Sequence, residues 1–237
     1  MNRRNKMAGT RILARHGGIC YETNMNEMDT GKEIILASES PRRKRLLEQA
    51  RIEFCVVPSG IDETAIKTRE PVRYAKALAE EKARAVSEKY PGAWVIGADS
   101  IVVIENRILN KPESEQDAYK MLSRLSGRTH RVITGYSIVC ASGTHSHTDA
   151  CITRVTFKDL TDTEIKWYLQ TPEPWDKAGA YAVQGTGAFM VKHIQGSYTN
   201  VVGLPVCEVV DYLFKQGIID RTRNKNAEDP HKAAGNR

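Results

Sequence analysis

A single α/β domain, built on a mixed sheet with flanking helices, is what this sequence predicts. Apolar runs short enough for strands alternate with stretches that carry helix start signals. Tight polar turns between neighbouring strand-like runs, Glu105-Asn106 above all, require antiparallel pairs inside that alternation. No internal repeat, low-complexity linker or shift of composition separates Gly31 from Asp220.

Glu33–Ser38 (EIILAS) is a short apolar run and reads as a strand. Ser40 then serves as an N-cap, Pro41 takes the first helical position, and the helix continues through Arg42 to Ala50. Phe54–Pro58 is a second strand candidate. Pro71 opens a long helix to about Lys89, closed by Pro91-Gly92. Trp94–Ile104 is strand-rich and turns into Arg107–Leu109. Ser114 caps a helix whose Ala118, Met121, Leu122 and Leu125 share a face, ended by Ser126-Gly127. Val132–Cys140 and Cys151–Phe157 read as strands joined by a polar loop, Ala141–Asp149. Thr161 and Glu164 form a capping box for a helix to Leu169. Strands at Tyr181–Val183 and Ala188–Ile194 and a helix over Pro205–Gln216 complete the body.

The 237 residues are 41% hydrophobic and 27% charged, enough to bury a real core and too apolar for a disordered chain. No apolar run approaches the roughly 18 residues of a membrane span, and the basic N-terminus lacks the apolar centre of a secretory signal. Cys20, Cys55, Cys140, Cys151 and Cys207 are odd in number and scattered, with no CxxC pair. They point away from a disulfide framework or structural zinc and towards a reducing, cytoplasmic setting. A net charge of +6 calls for an anionic partner: nucleic acid, an anionic surface or a phosphorylated small molecule. Part of that excess lies in two expected disordered extensions, residues 1–30 and 221–237, around a domain over residues 31–220. Met7, Met25 and Met28 each offer an internal start, so the first thirty or so residues are expected to fall outside the working protein.

Three charged places break the pattern. Lys82 sits on the apolar stripe Val72, Ala75, Ala79, Val86; it either snorkels past the core edge or points into an anion site. Asp99 interrupts the run Trp94–Ile104, either as a turn aspartate or as a carboxylate facing a cation, a metal or several donors. Gly97-Ala98 before it are small, as where a ligand nears the backbone. Ser38-Glu39-Ser40-Pro41-Arg42-Arg43 runs from a strand end into a helix N-terminus, a place receptive to phosphate, with two guanidinium forks beside it. Lys111 before Pro112, Asp176-Lys177, and the carboxylate pair Asp62-Glu63 are weaker signals. His145 and His147 have HxH spacing without a third ligand. GxxxxGK[ST], HExxH, GxSxG and GxGxxG are all missing from the sequence.

Six blocks, in order, resemble the Maf family of nucleoside triphosphate pyrophosphatases: LASESPRRKRLL from Leu36, ALAEEKARAV from Ala77, VIGADSIVV from Val95, LNKPESEQDAYKMLSRLSGRTHRVITG from Leu109, DKAGAYAVQG from Asp176 and GSYTNVVGLP from Gly196. The resemblance covers about Glu33 to Leu213. It implies two lobes around a deep cleft, similar to inosine triphosphate pyrophosphatases, and hydrolysis of a nucleoside triphosphate to monophosphate and pyrophosphate with a divalent cation. It makes Asp99 the proton acceptor and ties Arg42, Ser100 and Gln184 to substrate choice. Ser100 stands where the family usually has threonine, and Asn110-Lys111-Pro112 where it usually has GKP. The GAD and DKAGAYAVQG blocks look like the branch acting on dTTP and UTP.

The out-of-place charges and the resemblance meet at one expected site. Magnesium or manganese is expected on Asp99 with Glu63 or Asp62, hard oxygen ligands suiting such ions. Ser38, Ser40, Arg42, Arg43, Lys82 and Lys111 are expected to bind phosphate. The partner is then the triphosphate itself, with no membrane, with nucleic acid disfavoured, and with a homodimer left open. Two alternatives stay open: 7-methyl-GTP or another modified nucleotide as substrate, and a nucleic-acid-binding regulator of division that uses the basic surface.

Overall fold

The computed structural model describes residues 11–16, 19–24, 32–68, 70–142 and 145–220. Within the range expected as the first extension, β1 (Arg11–His16) and β2 (Ile19–Asn24) pair antiparallel as a separate hairpin. The sequence between them, Gly17-Gly18, is a two-residue hairpin signal. The rest of that range, and 221–237, lie outside the described residues.

The body follows the order β3 (Ile34–Leu36), α1 (Pro41–Gln49), β4 (Cys55–Val56), α2 (Pro71–Ser87), β5 (Trp94–Ile104), β6 (Arg107–Leu109), α3 (Glu115–Leu125), β7 (Thr129–Cys140), β8 (His145–Phe157), α4 (Asp162–Leu169), β9 (Val191–Gln195), α5 (Tyr198–Val202) and α6 (Val206–Lys215). The sheet runs β4-β3-β5-β7-β8-β9, with β6 also on β5. β4–β3 and β3–β5 are parallel and the remaining pairs antiparallel, so the sheet is mixed as predicted.

The register of β5 creates the cleft. β7 lies along one edge of β5 from Val95 to Val103. On the other edge β3 pairs with Trp94–Ile96 and β6 with Val102–Ile104, leaving Gly97–Ile101 without a neighbouring strand. The two ends of β5 enter two cores. Trp94, Ile96 and Ala98 pack with Leu36, Leu47, Leu204 and Leu213, whereas Val102 and Ile104 pack with Leu122, Leu125, Tyr168 and Met190. These cores are the two lobes, and the notch between them is the mouth of the cleft.

Helix α2 covers the opposite face of the sheet. A Cβ on Gly97 would lie 2.2 Å from the Ala79 carbonyl oxygen and 2.7 Å from the Ala83 nitrogen, and one on Gly135 2.2 Å from the Ala75 carbonyl oxygen. Backbone rests on backbone at both places, which only glycine permits. Gly97 is therefore small for the helix and not, as expected from the sequence, for a ligand.

Other departures are local. β8 begins at His145, so most of the expected loop is strand: His145–Asp149 pair with Cys140–Tyr136. Alternation is weak there because one edge is polar; His147 stacks on Tyr212 of α6 at 4.4 Å and binds within an aromatic layer instead of as a metal ligand. Tyr181–Val183 is not a strand, and Gly185–Met190 forms a 3-10 turn before β9. Gly185 has φ +78, which breaks an apolar run that otherwise looks extended. α5 is short and was not predicted; Ser197 caps it. Cys55 is disulfide-bonded, against the expectation of a reducing setting drawn from scattered cysteines of odd number, which argue against a framework of several bridges but leave room for a single pair. Cys140, Cys151 and Cys207 are free. Among the described residues, no helix is long and apolar enough to cross a membrane.

Candidate active site

The cleft between the lobes encloses about 1120 Å³ and is lined by Ser38, Ser40, Arg42, Arg43, Glu63, Lys82, Asp99, Ser100, Lys111 and Gln184. Of the residues expected at the site, Asp62 alone is missing from this lining. Its side chain caps the 3-10 turn Glu63–Ala65, accepting from the Thr64 backbone at 2.9 Å and the Thr64 hydroxyl at 2.6 Å. An aspartate just before a turn satisfies the turn's free N–H groups first, so Asp62 is not placed as a metal ligand.

Asp99 projects from the part of β5 that is paired with β7, opposite Gly135, but has no strand on its other edge. Its Oδ1 accepts from Lys82 Nζ at 2.6 Å, and the same ammonium lies 2.8 Å from Glu63 Oε1. The side chains of Lys82 and Asp99 are 10% and 14% exposed, that of Glu63 53%. Lys82 does not snorkel: contact of Ala79 and Ala83 with Gly97 fixes the helix, and the residue just before Ala83 then aims along β5 at Asp99. Burial would raise the Glu63 carboxyl, but the bond to Lys82 and the charges of Lys82, Lys111 and Arg43 hold it below the usual carboxylate range.

Arg43, in the first turn of α1, is pinned at three points. Nε donates to the Gly203 carbonyl at 2.8 Å, one terminal nitrogen to Ser38 Oγ at 3.0 Å and the other to Ser100 Oγ at 3.3 Å. Burial lowers its pKa, opposed by the Asp99 charge; guanidinium starts so basic that it stays a cation. Of its five N–H groups, the three bonds leave some free to face the cleft. Ser100 Oγ also contacts Thr134 Oγ1 at 2.8 Å and the Gly203 carbonyl at 3.3 Å. A hydroxyl is what this position uses, so serine in place of threonine keeps the network. Ser40 caps α1 through the Arg43 N–H, and Ser38 Oγ accepts from the Ser40 N–H at 3.2 Å.

The opposite wall is irregular. Arg42 reaches Asp176 at 3.4 Å at the rim. Gln184 lies in extended backbone just before the 3-10 turn, and its amide makes no hydrogen bond within the protein among the described residues. Asn110 accepts from the Gly179 N–H at 3.0 Å and is not among the positive-φ residues, so losing a glycine here costs the backbone nothing. Sequence reasoning missed Glu173, whose carboxylate accepts from the Thr186 and Gly187 N–H groups at 2.6 and 3.0 Å. It also missed Tyr74, which lines the cleft; burial, then the charges of Asp99 and Glu63, raise its phenol. Neither breaks its local pattern, so neither could be found without the fold.

Among the described residues, no group of three or more histidine, cysteine or acidic side chains could hold a metal alone. Two carboxylate oxygens, of Asp99 and Glu63, do converge on one cationic centre. A magnesium-like ion is commonly held by one or two carboxylates with substrate phosphates and water completing its shell. The donor set fits such an ion in the presence of a phosphate ligand.

The Maf-like protein family model matches residues 33–216. The dTTP/UTP pyrophosphatase of Geobacter sp. (strain M21) is 51% identical over 180 residues, 76% of this chain and 93% of that protein. The dTTP/UTP pyrophosphatase of Geotalea uraniireducens (strain Rf4) is 49% identical over 193 residues, 81% of this chain and all of its own length, 100%. A solved nucleoside-triphosphatase / dITP/XTP pyrophosphatase from Mycobacterium abscessus covers 78% of this chain and 95% of its own, at 15% identity and a TM-score of 0.39, too low to carry weight.

Proposed function

Since the chain belongs to the Maf family, we propose that it hydrolyses dTTP and UTP to the monophosphate and pyrophosphate. The observation that carries this reading is the buried Lys82 ammonium held between Asp99 and Glu63 inside a cleft that also holds Arg43 and Lys111. Paired opposite charges at such depth suit a polyanion that arrives with a cation.

Water attacks the α-phosphorus, the bond from that phosphorus to the oxygen bridging to the β-phosphorus breaks, and pyrophosphate leaves. Asp99 has one of two roles, since a carboxylate that binds a metal tightly is no free base: it takes the proton of the attacking water at the oxygen not bonded to Lys82, or it is a ligand of the metal ion. Arg43, its plane locked by Gly203, Ser38 and Ser100, presents its remaining N–H groups to phosphate oxygens. Lys82 and Lys111 add charge, and positioning of this kind does most of the work in phosphoryl chemistry. Glu63, joined by Asp99 where that carboxylate is the ligand, would hold a magnesium or manganese ion, which would supply neutralisation of the charge growing on the leaving pyrophosphate. Gln184 reads the base: one amide both accepts from and donates to the edge of uracil or thymine. The reading carries a cytoplasmic location, where free nucleotides are made and used.

The test is pyrophosphate release from a panel of triphosphates, with and without magnesium. dTTP and UTP are expected to lead, only with the metal. Asp99→Asn is expected to keep the fold and lose about 100-fold in turnover; a variant as fast as the parent removes Asp99 from the reaction.

A further inference from the structure

We infer that Glu173 is the positioning residue that sets base preference, by clamping the turn that carries Gln184. This rests on the proposed pyrophosphatase reading and adds to it a residue that never needs to touch the nucleotide. Gln184 sits between two fixed points. On one side, the Ala182 N–H donates to the Tyr168 hydroxyl at 3.2 Å. On the other, the Thr186 and Gly187 N–H groups donate to Glu173 Oε1 and Oε2 at 2.6 and 3.0 Å. The two anchors are joined, because the Tyr168 hydroxyl donates to Glu173 Oε2 at 3.3 Å. Tyr168 is fully buried in the α4 core, so the clamp stands on rigid packing.

The carboxylate also explains a glycine. A Cβ on Gly185 would sit 2.3 Å from Glu173 Oε1, and its φ of +78 disfavours any side chain. The turn therefore closes tightly over the acid. Glu173 is itself held, its N–H near Thr171 Oγ1 at 3.4 Å and its carbonyl accepting from Lys177 Nζ at 2.9 Å. Burial opposes its charge, yet the N–H groups of Thr186 and Gly187 keep it ionised. A glutamine in its place has one acceptor oxygen and turns an NH2 towards a backbone N–H. It cannot hold both amides, and Gln184 then loses a defined direction.

The experiment compares the parent, Glu173→Gln and Tyr168→Phe, each first shown folded by thermal melting. For Glu173→Gln, the ratio of kcat/KM for dTTP over CTP is expected to fall about tenfold or more, through KM for dTTP, while kcat on CTP moves by less than about threefold. Tyr168→Phe, which removes a single hydroxyl, is expected to shift the ratio the same way by less. Amide exchange at Thr186 and Gly187, read without any nucleotide, is expected to quicken at least about tenfold in Glu173→Gln. An unchanged ratio in a folded, active variant, or unchanged exchange at those amides, overturns the proposal. A parent that cleaves no triphosphate overturns the pyrophosphatase reading, and with it the claim on base preference, whatever the exchange shows.

Discussion

The two walls of the cleft are made differently. On the phosphate side, Arg43, Lys82, Asp99 and Ser100 come from α1, α2 and β5, and their polar atoms are bonded to one another before any ligand arrives. On the base side, Gln184 comes from an irregular turn and its amide is uncommitted among the described residues. On the proposed reading, groups that meet the triphosphate do the same task for every substrate, and they are buried or half-buried and fixed by regular elements. A group that chooses between bases must be free to bond, so only its backbone is held. On the proposed reading, strength sits on one wall and choice mostly on the other, Ser100 being a residue tied to substrate choice that stands on the first.

Substitutions on each side can break this contrast. Lys82→Met leaves Asp99 and Glu63 facing each other without their cation, and kcat/KM is expected to drop at least about 100-fold for all nucleotides alike. A drop confined to one base in steady-state assays would put choice on the phosphate side. Next in size is a pH effect beneath the base wall, where Tyr181 rests on His130 through a 2.8 Å bond. Burial pushes His130 down to about 4 from 6.5. Between those values the unfolded chain binds a proton that the native chain refuses, so stability falls as pH falls through the window. The loss is at most about 3 kcal/mol, readable by denaturant titration at several pH values and absent in His130→Gln. Gly97→Ala pushes α2 off the sheet and is expected to cost about 2 kcal/mol, with a melting point lowered to match. A melting point equal to the parent's would deny that close contact sets Lys82. Smallest is Gln184→Ala: the dTTP over CTP preference is expected to shrink about tenfold or less with turnover on the poorer substrate kept. Unchanged preference across the panel would take base reading away from Gln184.

The same contrast governs what the sequence disclosed. Lys82 and Asp99 were legible because charge on an apolar stripe or in an apolar strand has few inexpensive explanations, and the Ser40 cap and Pro41 marked α1. The caps of α3 and α4 were equally plain, since Ser114 and Thr161 bond within a few residues. Glu173 was silent, because its partners Thr186 and Gly187 lie outside its local window and the turn they form has no period. Asp62 was ambiguous for the opposite reason: two adjacent acids look like ligands, and only the backbone shows one of them bonding its own turn through Oδ1. The cleft itself could not be read from any one segment. It exists because β3 and β6 stop short of each other on β5.

That shared strand has a mechanical consequence. The two cores grip opposite ends of one eleven-residue strand, Trp94–Ile104, and β7 is bonded to β5 through nearly the whole span. Among the described residues, a swing of one half against the other would have to strain that ladder. A stiff mimic of nucleoside and diphosphate, cut to the resting dimensions of the crevice, would lose little affinity to reorganisation of the receptor.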